Sequence, residues 1–140
     1  MNDQVTAASL GALILRLTLG VLSLAHGLVL KVMTFGLAGT AGYFESIGYP
    51  GGLAYLVAFA EIAAGLGLIL GLLPRLAALA SIPLLIGAAL QHVGNGWVFS
   101  GTGGGWEFPV AWTVLLLACA LIGPGAYALG ARLPGKLARL

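Results

Sequence analysis

Charge is what this chain has least of. Lysine and arginine number 6 and aspartate and glutamate 4, together 7% of the 140 residues, where a soluble domain carries about 25%. So few charges cannot solvate a water-facing surface of that extent, and most of the surface must face lipid. The net charge of +2 is too small to point to nucleic acid. Cysteine is nearly absent too. Cys119 stands alone in an apolar run, which excludes an internal disulfide and a cycling dithiol, and it has no Cys or His neighbour at metal-ligand spacing. Gly-x-Gly-x-x-Gly and Walker sequences are missing. Gly103-Gly-Gly105 follows no strand, so it is not read as a phosphate cradle. A basic leader is also lacking. The start, Met1-Asn-Asp-Gln-Val5, carries an acid, and Arg16 interrupts the apolar stretch behind it. The first apolar segment is therefore expected to be retained rather than cleaved as a signal peptide.

What the chain has instead is apolar length. Its residues are 60% hydrophobic and its mean hydropathy is +1.07. Four apolar segments stand out, near 8–30, 53–73, 76–93 and 108–129. Each is close to the ~20 residues an α-helix needs to cross a bilayer core. A β-barrel would show alternating dyads; these runs are continuous Leu, Ala, Ile and Gly. The expected fold is an all-α membrane protein, a bundle of four transmembrane helices forming one domain over residues 1–140. Leu72-Leu-Pro74-Arg75 is a tight connection, so the second and third helices should form an antiparallel hairpin. Gly123-Pro-Gly125 should kink or end regular structure near the inner end of the fourth. Gly67 and Gly71 form a small-xxx-small pair suited to helix packing in lipid.

Orientation follows from the basic residues. With the amino terminus inside, the inner segments hold Arg75, Arg132, Lys136 and Arg139 and the outer loops hold only Lys31. That is the positive-inside pattern, and it places both termini in the cytoplasm at the inner (cytoplasmic) membrane. Eleven of the twelve aromatics then fall in or near the outer half, and both long loops are outer. The working face is expected there.

Polar groups inside the apolar runs carry the sharpest information. A charge near the bilayer middle costs at least ~2.5–3.5 kcal/mol on insertion scales and normally finds a partner. Arg16 and Glu61 each lie about nine residues into their segments, ~12 Å from opposite surfaces, leaving a vertical offset of only ~6 Å in a ~30 Å core. A buried Arg16–Glu61 pair is therefore expected, either as a bridge fixing helix register or as an anchor for an anionic or quinone-like ligand. His26, Lys31, His92 and Glu107 come from three segments and all sit at the outer level, where they read as the rim of a polar pocket. A histidine there could relay protons. The spacing lacks the Glu-x-x-His repeats of a di-iron bundle. A metal or haem is accordingly not expected.

Arg16-Leu-Thr-Leu-Gly20, Ala25-His-Gly-Leu-Val-Leu-Lys31 and the run from Glu61 to Pro74-Arg75 resemble the first- and second-helix signatures of the DoxX family of small bacterial membrane proteins. His92, Gly105-Trp-Glu107 and Gly123-Pro-Gly125 match its later landmarks. The resemblance implies a four-helix membrane protein associated with redox work. One branch couples thiosulfate oxidation to quinone, and another assembles with thiol and superoxide detoxification enzymes. By position it marks Arg16, His26, Lys31, Glu61, His92 and Glu107 as site residues. The aspartate that family members often carry shortly after Gly-Pro-Gly is absent here, which puts in doubt any contact that depends on it.

Two functions are open on these grounds. One is a membrane subunit of a redox system, partnered by an oxidoreductase subunit and binding quinone or a small anion. The other is a small permease or non-enzymatic scaffold in the bilayer, which as a permease would require a homo-oligomer.

Overall fold

Thr6 starts the first helix. Its hydroxyl accepts from Ser9 N–H while the Ser9 hydroxyl accepts from Thr6 N–H, so two otherwise open donors are satisfied at the apolar boundary. This computed structural model describes residues 5–140. Met1–Gln4, with the acidic start read above, and the side chain of Arg139, counted above among the inner charges, lie outside the described residues. Helix α1 (Ala7–Leu24) runs without a break into a π-helical stretch, Ala25–Thr34. The whole rod is 28 residues long, which carries it beyond the segment expected at 8–30.

The segment expected as the first long outer loop contains a helix, α2 (Gly36–Ser46). Eleven residues are too few to span a bilayer. It packs instead on the π-helical stretch and on the next helix, and Thr40 fastens it by donating to Lys31 O at 2.9 Å.

Helix α3 (Gly51–Leu70) ends where Gly71 takes a left-handed conformation at φ 66°. There Leu72 N–H reaches back to Gly67 O, a closure that favours glycine because a side chain would be strained at that φ. Pro74 opens α4 (Pro74–His92), where its missing N–H costs nothing. The expected hairpin is present. Helix α5 (Glu107–Ile122) stops at Gly123, φ 97°, with Pro124 behind it, so it ends short of the expected residue 129. The remaining described chain forms 3₁₀ turns folded back on the hairpin turn, where Gly130 N–H donates to Gly71 O.

The described residues are helical with no strand. Three helical stretches are long and apolar enough to cross a membrane: Ala7–Thr34, Gly51–Leu70 and Pro74–Asn95. Helix α5 is apolar but shorter. α1 packs on α3, α3 on α4, α4 on α5 and α5 on α1, closing around Leu19, Leu68, Leu116 and Cys119. The close approach is not made by the Gly67 and Gly71 pair. Gly20 and Gly65 make it: a Cβ on either would stand 3.0 Å from the other's carbonyl oxygen. Gly67 lies instead against the hairpin turn.

Candidate functional site

The glycine contacts fix the register of α1 against α3, and the register decides which charges meet. Gly20 lies against Gly65 and Ile69, and Gly27 against Ala58, Glu61 and Ile62. Arg16 therefore falls opposite the end of α3, whereas Glu61 falls opposite the π-helical stretch. The expected Arg16–Glu61 pair does not form. Measuring depth from the start of each apolar segment failed because α1 extends well past 30 and the two helices are not aligned by their ends.

Arg16 is 1% exposed and spends its guanidinium on main chain. Nη1 donates to Leu68 O at 2.6 Å and Ile69 O at 2.8 Å, and Nη2 donates to Ala126 O at 3.1 Å. Those carbonyls lie at the end of α3 and in the segment after α5, where a helix dipole favours a cation, and Leu68 O also accepts from Gly71 N–H. Arg75 repeats the device on α5, with Nη1 donating to Ala120 O and Leu121 O. Both arginines thus close helix ends beside the hairpin turn.

Glu61 pairs with Lys31. Their Nζ–Oε2 distance is 2.7 Å, and the side chains retain 18% (Lys31) and 13% (Glu61) of their exposure. The π-helical stretch makes this possible. In an α-helix, residues five apart point about 140° away from each other. Bonds closed five residues back, such as Phe35 N–H to Leu30 O, put more residues in each turn. His26 and Lys31 are thereby brought toward one face.

That face borders a cavity of about 550 Å³ at the end opposite the hairpin turn. Its polar lining is His26, Lys31, Glu61, Gln91 and His92. Its walls are apolar and aromatic, with Tyr43 and Phe44 from α2, Ile47 just after it, Leu53 and Val57 from α3, and Phe108 and Trp112 from α5. Pro83 of α4 also lines it. A cavity of this size, mostly apolar with a few convergent polar groups, has the character of a small-molecule site.

The histidines are held by their Nδ1 atoms. His26 Nδ1 lies 2.9 Å from Leu22 O, and its ring packs edge-on to Trp112 with centroids 4.9 Å apart. The Trp112 indole N–H is buried without a hydrogen-bond partner. His92 Nδ1 lies 3.1 Å from both Gly103 O and Gly104 O, so the glycine loop folds over the end of α4. Glu107 is not in the cavity lining. Its Oε1 accepts from Phe99 N–H at 2.9 Å and braces the same loop from behind. Of the six residues read as a site, four line the cavity, whereas Arg16 and Glu107 hold structure around it. Sequence reading missed Tyr43, Phe44, Gln91 and Trp112 as lining residues. The concentration of aromatics in that half was the available signal. Among the described residues no three His, Cys, Asp or Glu side chains are grouped to hold a metal ion.

The geometry defines a class, a small helical membrane protein with a mostly apolar cavity bearing a few polar groups at one end. Within that class the DoxX family model matches residues 11–94, and the chain belongs to the DoxX family. It is similar to a protein of Bacillus subtilis (strain 168) named "Putative oxidoreductase CatD", with 36% identity over 81 residues. The match covers 58% of this chain and 58% of that protein, so the chain aligns with little more than half of the relative's length. No solved structure matches the chain.

Proposed function

We propose that this protein is a membrane subunit of a redox system whose cavity takes a quinone-like ligand. The observation that carries the reading is the Lys31–Glu61 pair beside His26 and His92 in an otherwise apolar and aromatic cavity. A flat ring bearing polar oxygens fits such walls, and a long apolar tail could continue into lipid. A small anion suits the site less well. Arg16 is committed to backbone carbonyls, and the Lys31 charge is already balanced by Glu61. The relative's name adds weight to redox work. Cys119 is a lone thiol, so electrons would travel through the ligand, a bound cofactor or a partner oxidoreductase.

In this reading α5 is the fourth span, both termini face the cytoplasm, and residues 1–140 act as one domain. The basic residues Arg75, Arg132 and Lys136 then lie inside, and the cavity opens toward the outer leaflet.

Mass spectrometry of the lipid extract from protein purified from its native membrane tests the proposal. A quinone should co-purify with the wild type and be depleted in folded Glu61→Gln. A folded wild type carrying no quinone would contradict it.

A further inference from the structure

Inside the bundle the hairpin end offers a ligand little, because Arg16 and Arg75 are spent on carbonyls. Its outer surface differs. Arg132 and Lys136 stand exposed in the 3₁₀ turns Leu129–Arg132 and Gly135–Arg139, and neither meets a carboxylate among the described residues. The described acids lie toward the other end: Glu61 at the cavity, Glu107 against the glycine loop, and Glu45 beside Gly51 at the start of α3. Asp3 and the Arg139 side chain lie outside the described residues. Large apolar side chains share the segment with the two cations. Tyr127 is 74% exposed, and Leu129 and Leu137 are exposed as well.

The hairpin turn sets the height of this segment. Gly130 N–H donates to Gly71 O, and Leu140 O accepts from the N–H groups of Arg75 and Leu76. The turn joins two membrane-long helices, one ending at Leu70 and the other starting at Pro74. The segment therefore lies where hydrocarbon gives way to lipid headgroups. We propose that residues 127–137 form a docking surface for anionic phospholipid in the leaflet at the hairpin end. Arg132 and Lys136 meet the headgroups, while Tyr127, Leu129 and Leu137 rest among the first acyl carbons, a basic and an apolar signal acting together. Charge complementarity selects the occupant. An anionic headgroup balances cations that no described carboxylate balances, whereas a zwitterionic headgroup brings a cation of its own. The surface is separate from the cavity and does not depend on what the cavity takes.

The test is native mass spectrometry of the full chain, released from neutral detergent after mixing with equal amounts of phosphatidylglycerol and phosphatidylcholine of matched acyl chains. Phosphatidylglycerol should be retained about tenfold over phosphatidylcholine, the order expected of two basic residues at a membrane surface. Arg132→Gln/Lys136→Gln should bring the ratio near one, and Arg132→Lys/Lys136→Arg should keep it. Both positions are exposed, so each double variant should melt with the wild type. Equal retention of the two lipids by the wild type would overturn the proposal and leave the surface to an acidic protein partner. A preference unchanged in Arg132→Gln/Lys136→Gln would overturn it as well. Soluble glycerol phosphate in excess should displace no lipid; full displacement would overturn phospholipid as the occupant in favour of a free phosphate.

Discussion

The two ends of this molecule use their polar side chains in opposite ways. At the hairpin end, Arg16 and Arg75 close the carbonyls of α3 and α5, leaving little there for a ligand to engage. At the other end, Lys31, Glu61, His26 and His92 meet one another or local carbonyls and still border a cavity of about 550 Å³. The contrast teaches that a charge within an apolar run does not by itself mark a site. What separates the cases is whether the group faces packed main chain or open space, since even Arg16 keeps its Nε buried without a partner. Arg16 meets three carbonyls, whereas Glu61 keeps a free oxygen beside open space.

The sharpest way to break the comparison is at the hairpin end. Arg16→Met should strand the Ile69 and Ala126 carbonyls, leave Leu68 O only its bond from Gly71 N–H, and lower stability by roughly 3 kcal/mol. Thermal unfolding in detergent would read this as a large fall in midpoint, with Arg16→Lys recovering only part of it. Next in size is Gly65→Leu, which should push α1 from α3 at a cost of about 2 kcal/mol. Because both ends share that register, ligand binding and melting temperature should fall together. Smaller still is the cavity pair. Lys31→Met leaves Glu61 unpaired, and adding Glu61→Gln should restore stability with a coupling of about 1 kcal/mol in a double-mutant cycle. An additive cycle would deny that the pair interacts. The smallest effect is expected from Thr6→Ala, about 1 kcal/mol or less from loss of the cap, with binding untouched.

Much of the frame was legible before any coordinates. The long apolar runs, the Pro74 turn and the break at Gly123 are local signals, and each appears close to where the residues put it. The π-helical stretch was not legible, because no residue type in Ala25–Thr34 announces bonds closed five residues back. Helix α2 was hidden for a different reason. Its eleven residues are neither long enough to read as a span nor broken by proline, so they passed for loop. The Arg16–Glu61 error came from treating depth in a segment as height in the bundle, when Gly20, Gly27 and Gly65 set the height. The partners of Arg16 are main-chain carbonyls, which carry no side-chain signature. Its one trace in sequence is Gly71, which marks the end of α3 and thus the carbonyls left open there. Glu107 turns to the loop instead of the cavity, a choice that only the fold of residues 96–106 decides.

Native mass spectrometry with a thermal ramp tests the division between the two ends most directly, on wild type, Arg75→Lys and the Lys31→Met/Glu61→Gln double variant. The account predicts that Arg75→Lys melts earlier yet carries its ligand at wild-type occupancy, and that the double variant melts near wild type but is empty. An Arg75→Lys protein that is stable but has lost its ligand, or a double variant that keeps its ligand, would contradict it.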